Sequence, residues 1–160
     1  MYSRKLLRLR GFDYSTGGPY LVTACTHDRR CTLGAIEGEQ MVRSAQGVIV
    51  AQQIELLPER LPGVDVDSFV VMPNHVHLII VLRNARARRA SPLRTIVAAF
   101  KSGSAREISL LRGTPGAKVW QRGYHDHVIR DEADLERVRE YLDTNPLRWA
   151  LDPESADRRR

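Results

Sequence analysis

A chain of 160 residues, 42% hydrophobic and 28% charged, carries a net charge of +6 and a pI near 9.8. It has the size of one domain with a real core, and its charge suits a polyanionic partner. No apolar run approaches the roughly 20 residues of a membrane span, residues 1–12 lack the apolar core of a signal peptide, and Cys25 and Cys31 lack the C-x-x-C spacing of a zinc knuckle.

The first element is a basic arm, Arg4, Lys5, Arg8 and Arg10. Gly17-Gly18-Pro19 then turns the chain into a strand over 19–27. Residues 39–57 read as a helix, with Met41, Val48, Ile49, Ile54 and Leu56 among its apolar positions and Gly47 as a weak point. Strands over 64–72 and 75–82 flank Pro73-Asn74, and a two-residue connection implies an antiparallel hairpin. An Arg/Ala-rich stretch, 83–90, leads to a helix over 92–109; Arg83, Arg86, Arg88, Arg89 and Arg94 form a second basic cluster, followed by Lys101 and Arg106. A strand over 118–129 begins near Trp120, with Lys118, Arg122 and Arg130 around it. The last helix, 131–144, starts in acidic residues, as the helix dipole favours, and is expected to stop before Pro146. The order β-α-β-β-α-β-α predicts an α+β, ferredoxin-like (RRM-like) sheet with one extra C-terminal helix. A single domain spans 1–151, and 152–160 is a polar, basic tail expected to be disordered.

Two pairs of residues carry chemistry. His75 and His77 lie two apart in the run Phe-Val-Val-Met-Pro-Asn-His-Val-His-Leu-Ile-Ile-Val-Leu, 69–82. Side chains alternate along a strand, so both imidazoles share one face. Val76, Leu78, Ile80 and Leu82 then feed the core beneath the two crossover helices. On the residues alone the pair reads equally as a metal or catalytic site and as two half-exposed histidines on a solvent face. On the last helix Leu135, Val138 and Leu142 form an apolar stripe, with Tyr141 and Asn145 one turn apart at its border. Taken alone, these two read as a tyrosine packed at the core boundary and an amide capping the helix end.

Four blocks in order change that reading: Val-Met-Pro-Asn-His-Val-His-Leu-Ile, Phe-Lys-Ser (100–102), Trp-Gln-Arg-Gly-Tyr-His-Asp-His-Val-Ile-Arg (120–130) and Tyr-Leu-Asp-Thr-Asn-Pro (141–146). Together with the N-terminal runs 8–15 and 19–31 they resemble the REP-associated tyrosine transposases, single-tyrosine members of the HUH group named for a His-hydrophobic-His motif. The resemblance covers about residues 4–151. It implies cleavage and strand transfer of single-stranded DNA, beside a hairpin such as a REP-like palindromic repeat, in the cytoplasm and associated with the nucleoid. Tyr141 would be the nucleophile and form a 5′-phosphotyrosine link. His75 and His77, with the Asn145 amide as third ligand, would hold a divalent metal, Mg²⁺ or Mn²⁺. Residue chemistry alone also admits Zn²⁺, because magnesium prefers oxygen ligands.

His125-Asp126-His127 is a second His-x-His, but its middle residue is acidic, and the neighbouring Tyr124 ranks below Tyr141 as nucleophile. Arg4, Arg8 and Arg10 in the arm, Lys101, Arg122 and His127 are candidate DNA contacts, through phosphate in the main. Two alternatives stand beside the transposase reading. One is a domesticated REP-hairpin binder without turnover. The other is an RNA-binding ferredoxin-like module, which calls for exposed aromatics on an open sheet face. A zinc hydrolase is weaker still, since no carboxylate base adjoins His75 and His77. Monomer and homodimer are both compatible with the resemblance.

Overall fold

The computed structural model describes residues 18–83 and 92–152. Arg4, Arg8 and Arg10, the arginines of 86–89 and the tail 153–160 therefore lie outside the described residues. The elements in order are β1 (Pro19–Cys25), a 3-10 turn (His27–Arg29), β2 (Gly34–Glu37), β3 (Gln40–Arg43), α1 (Ala45–Glu55), α2 (Leu57–Arg60), β4 (Val64–Met72), β5 (His75–Leu82), α3 (Pro92–Arg112), β6 (His125–Val128) and α4 (Glu132–Leu151).

The main sheet runs β4-β5-β1-β6, antiparallel throughout, so β5 is central. This is the expected ferredoxin-like α+β order with a C-terminal helix added. One face packs on α1 and α3, with Val22, Ala24, Val76, Leu78, Ile80, Ile54, Ile96 and Phe100 among its fully or almost fully buried side chains. The other face packs on α4, where Ile79 and Ile129 meet Leu135, Val138 and Leu142. The alternation along β5 thus sorts Val76, Leu78 and Ile80 to the α1/α3 face and leaves the odd positions to α4, as strand geometry requires. Among the described residues no helix is long and apolar enough to cross a membrane.

Three expectations need correction. The helix over 39–57 is in fact the end of a small β2–β3 hairpin followed by α1. Gly38 turns the hairpin at φ 63°, and Ser44 starts the helix as its N-cap, accepting from the Gly47 amide at 3.2 Å. Gly47 is a packing device as well as a weak helix former: a Cβ there would stand 2.0 Å from the Leu33 carbonyl oxygen.

The strand over 118–129 shrinks to His125–Val128. Lys101 donates to the carbonyls of Gln121 (2.9 Å) and Gly123, and Gly123 adopts φ 78°, which no regular strand does. Trp120 makes an isolated bridge with Thr26 and donates its indole N–H to Ser104 at 3.0 Å.

Finally, α4 does not stop before Pro146 but runs to Leu151 with the proline inside it. Buried Trp149 lies beyond the proline, and its packing offsets the one helical hydrogen bond that proline removes.

Candidate active site

β5 presents His75 and His77 to the α4 side, and its neighbours supply what orients them. In the β1–β5 register Thr23 lies opposite His77, and its Oγ1 is 2.7 Å from His77 Nδ1. Asn74, buried in the hairpin turn, places Oδ1 2.7 Å from His75 Nδ1. Its own Nδ2 donates to the Arg29 carbonyl at 3.1 Å, which fixes which end of the amide faces the histidine. Both Nδ1 atoms are thus engaged, and the two Nε2 atoms converge to 3.1 Å.

With the His75 Nδ1 proton given to Asn74, His75 Nε2 carries a lone pair aimed at His77 Nε2. A proton or a cation must lie between the two nitrogens. Two nitrogens bound to one ion at about 2.0–2.1 Å lie roughly 3.0–3.4 Å apart, so the pair has the bite of a metal site. Burial pushes the His77 pKa down from 6.5 to about 4, leaving the neutral imidazole that a metal requires.

α4 closes the site from above. It starts at Asp131, whose side chain caps the Asp134 amide at 2.8 Å. It is tied to the edge strand by Arg139, which forms a two-pronged ion pair with Asp67 (Nε–Oδ2 2.9 Å) and also bonds Glu136. Asp67 is almost fully buried and sits at a β-bulge between Val66 and Ser68.

That tether brings Tyr141 over His77 of the same chain. The hydroxyl is 3.5 Å from His77 Nε2, and the rings meet edge to face at 5.4 Å. Two turns on, Trp149 lies against His75 with ring centroids 5.8 Å apart. Asn145 falls between them on the same helical stripe. It is buried, and among the described residues its side-chain amide has no hydrogen-bond partner. Arg148 stands over the Tyr141 ring, its guanidinium carbon 5.5 Å from the centroid.

The candidate donor set is two imidazoles and an amide. Among the described residues no three His, Cys, Asp or Glu side chains gather as a metal site. Without a carboxylate the set carries no charge to hold a cation firmly before an anionic substrate arrives. An orphaned buried amide on the helical stripe between Tyr141 and Trp149, whose rings meet the two imidazoles, is nonetheless what a weakly bound divalent ion would complete.

The other sequence candidates lie elsewhere. Lys101 is on α3, across the sheet, and its ammonium is engaged by the two loop carbonyls; burial lowers its pKa, against a smaller opposing effect of Cys25. Arg122 is exposed in the loop before β6. His127 is exposed on β6, with Nε2 3.6 Å from Asp134. Tyr124 packs against the α1/α3 core. Sequence reasoning missed Thr23, Asn74, Asp67, Arg139 and Arg148. Asn74 had a signal, an amide directly before the first histidine in a tight turn. Thr23 had none, because only strand pairing brings it to His77.

Comparison with known proteins finds relatives in sequence and in fold. Residues 47–145 match the sequence family described as IS200-like transposases. An uncharacterised protein of Haemophilus influenzae is 33% identical over 172 residues, covering 95% of this chain and 93% of that one. Two solved structures share the fold. A REP-associated tyrosine transposase bound to a REP hairpin has a TM-score of 0.57 and 23% identity, over 82% of this chain and 68% of its own. A transposase-like protein of Deinococcus radiodurans R1 has a TM-score of 0.51 and 18% identity, over 78% of this chain and 88% of its own.

Proposed function

Because this chain belongs to the IS200-like transposase family, we propose that it cuts and rejoins single-stranded DNA beside a hairpin, with Tyr141 as nucleophile. The observation that carries the proposal is the Tyr141 hydroxyl 3.5 Å from His77 Nε2, where the two histidine Nε2 atoms converge. A phenol next to a cation-binding pair is a nucleophile beside the means to neutralise a phosphate.

In the forward step the Tyr141 oxygen bonds to phosphorus and the bond to the 3′-oxygen breaks. The phenol proton ends on that 3′-oxygen, leaving a 5′-phosphotyrosine and a 3′-hydroxyl. A new 3′-hydroxyl reverses the step, so no external energy source is needed. His75, His77 and Asn145 would hold a divalent metal, Mg²⁺ or Mn²⁺, and that ion when bound would neutralise charge on the attacked phosphate. Thr23 and Asn74 keep the imidazoles oriented, and burial keeps His77 unprotonated. The Asp67–Arg139 pair holds the helix that presents Tyr141.

A REP-like hairpin is the proposed substrate, since a structural relative is bound to one. The RNA-module reading loses its platform, because α4 packs on the sheet face where bases would stack.

The test is a labelled single-stranded hairpin from the host's own repeats, incubated with Mg²⁺ or Mn²⁺. The expected result is a metal-dependent DNA–protein adduct, absent in Tyr141→Phe. An adduct that survives in that variant moves the nucleophile elsewhere. Tight binding with no adduct across several repeats identifies a binder without turnover.

A further inference from the structure

We infer that Arg148 is a further catalytic residue, binding the phosphodiester that Tyr141 attacks; the inference rests on Tyr141 being the nucleophile. Arg148 follows Tyr141 by two helical turns, which returns it to the same side of α4. Its guanidinium lies 5.5 Å from the Tyr141 ring centroid.

Its pairing sets it apart from the other arginines of α4. Arg137 pairs with Asp134, and Arg139 with Asp67 and Glu136. Among the described residues Arg148 has neither an ion pair nor a hydrogen bond, only the face of the tyrosine. It is exposed, so a strand of DNA can reach it.

The site needs a cation there. Arg148 places a permanent positive charge over the Tyr141 ring. The metal-binding set of His75, His77 and Asn145 contributes no charge of its own. A guanidinium stacked on the nucleophile's ring, with its donors unspent, matches two phosphate oxygens in a fork. In the transfer step the Tyr141 oxygen–phosphorus bond forms as the phosphorus–3′-oxygen bond breaks, and the phenol proton passes to the 3′-oxygen. Arg148 keeps its protons throughout and offsets the charge on the non-bridging oxygens.

A merely structural role, packing on the tyrosine ring, predicts a different result, so two readouts are combined. The first is single-turnover adduct formation at saturating hairpin DNA with Mn²⁺, for wild type, Arg148→Gln and Arg148→Lys, alongside thermal melting of each. Arg148→Gln is expected to slow the step by roughly 10- to 100-fold with an unchanged melting temperature, and Arg148→Lys to recover part of the loss. The second is DNA binding in the Tyr141→Phe background, with the cleaved linkage either ordinary or a neutral methylphosphonate. The neutral linkage should weaken binding when Arg148 is present and have little effect in Tyr141→Phe/Arg148→Gln.

A rate for Arg148→Gln within about twofold of wild type, or an equal penalty for the neutral linkage with and without Arg148, overturns the inference while the tyrosine mechanism stands. A wild-type protein that forms no adduct overturns the tyrosine mechanism and this inference with it.

Discussion

The main sheet carries two His-x-His pairs with the same spacing and on the same face. In the strand registers Thr23 lies opposite both His77 of β5 and His125 of β6, so the four imidazoles share the α4 side. Their surroundings differ. β5 has a strand on each side and α4 above it; β6 is an edge strand, and all four of its residues are exposed. His75 and His77 have both Nδ1 atoms held by Asn74 and Thr23, and their Nε2 atoms converge. Among the described residues His127 makes only a 3.6 Å approach to Asp134. A spacing of two places imidazoles on one face; a site further needs buried partners for the back of each ring, and only the central strand has them.

The sharpest way to break this comparison is to remove one histidine from each pair. His77→Ala should lower the rate of adduct formation by about 100-fold or more, since it deletes a proposed metal ligand rather than a supporting contact. His125→Ala and His127→Ala should stay within a few-fold of wild type. Equal losses in both strands would mean that the edge pair belongs to the chemistry.

The next effect concerns the helix that covers one pair and not the other. Arg139→Ala leaves the almost fully buried Asp67 carboxylate without its partner, so it should destabilise the protein by about 3 kcal/mol in denaturant unfolding. It should also reduce adduct formation. Arg137→Ala, whose guanidinium is largely exposed beside Asp134, should be close to neutral by the same measurement.

Burial also predicts a pH effect for the metal-free protein. The His77 pKa is depressed to about 4 from 6.5, so the unfolded chain binds a proton that the folded one refuses. The stability present above pH 6.5 should be lost as the pH falls from 6.5 towards 4. The loss should total up to about 3 kcal/mol and level off below. Unfolding curves across that window should show the slope in wild type and a shallower one in His77→Gln. An unchanged slope in the variant assigns the titration to another group.

The smallest effect probes the rings' backs. Thr23→Val and Asn74→Ala should raise the Mn²⁺ concentration needed for half-maximal adduct by roughly 10-fold or more each, with Asn74→Ala also loosening the turn. No shift in Thr23→Val would show that strand burial alone orients His77.

Much of the fold was legible because periodicity is a local signal. The alternation from Phe69 to Leu82 places β4, β5 and the two-residue turn correctly, and the acidic start marks the first turn of α4. The errors came where a local rule met a tertiary force. Met41 belongs to a hairpin whose only sequence marks are Gly38 and the Ser44 cap. Trp120 is held by Ser104 and Thr26 outside the sheet ladder. Pro146 fails to end α4, which continues to the buried Trp149 beyond it.

Of the proposed site, the candidate residues could be named from the chain and their geometry could not. His75 and His77 must share a face because strands alternate, and Tyr141 and Asn145 must share one because helices repeat every 3.6 residues. Those are properties of one segment each, and sequence alone determines them. That the two faces meet, in one chain, was decided by the sheet order that makes β5 central and by an ion pair between residues 72 apart, Asp67 and Arg139. The Thr23–His77 contact, 54 residues apart, was decided the same way. Such contacts arise only when segments pack, because burial and strand pairing select partners by position in space.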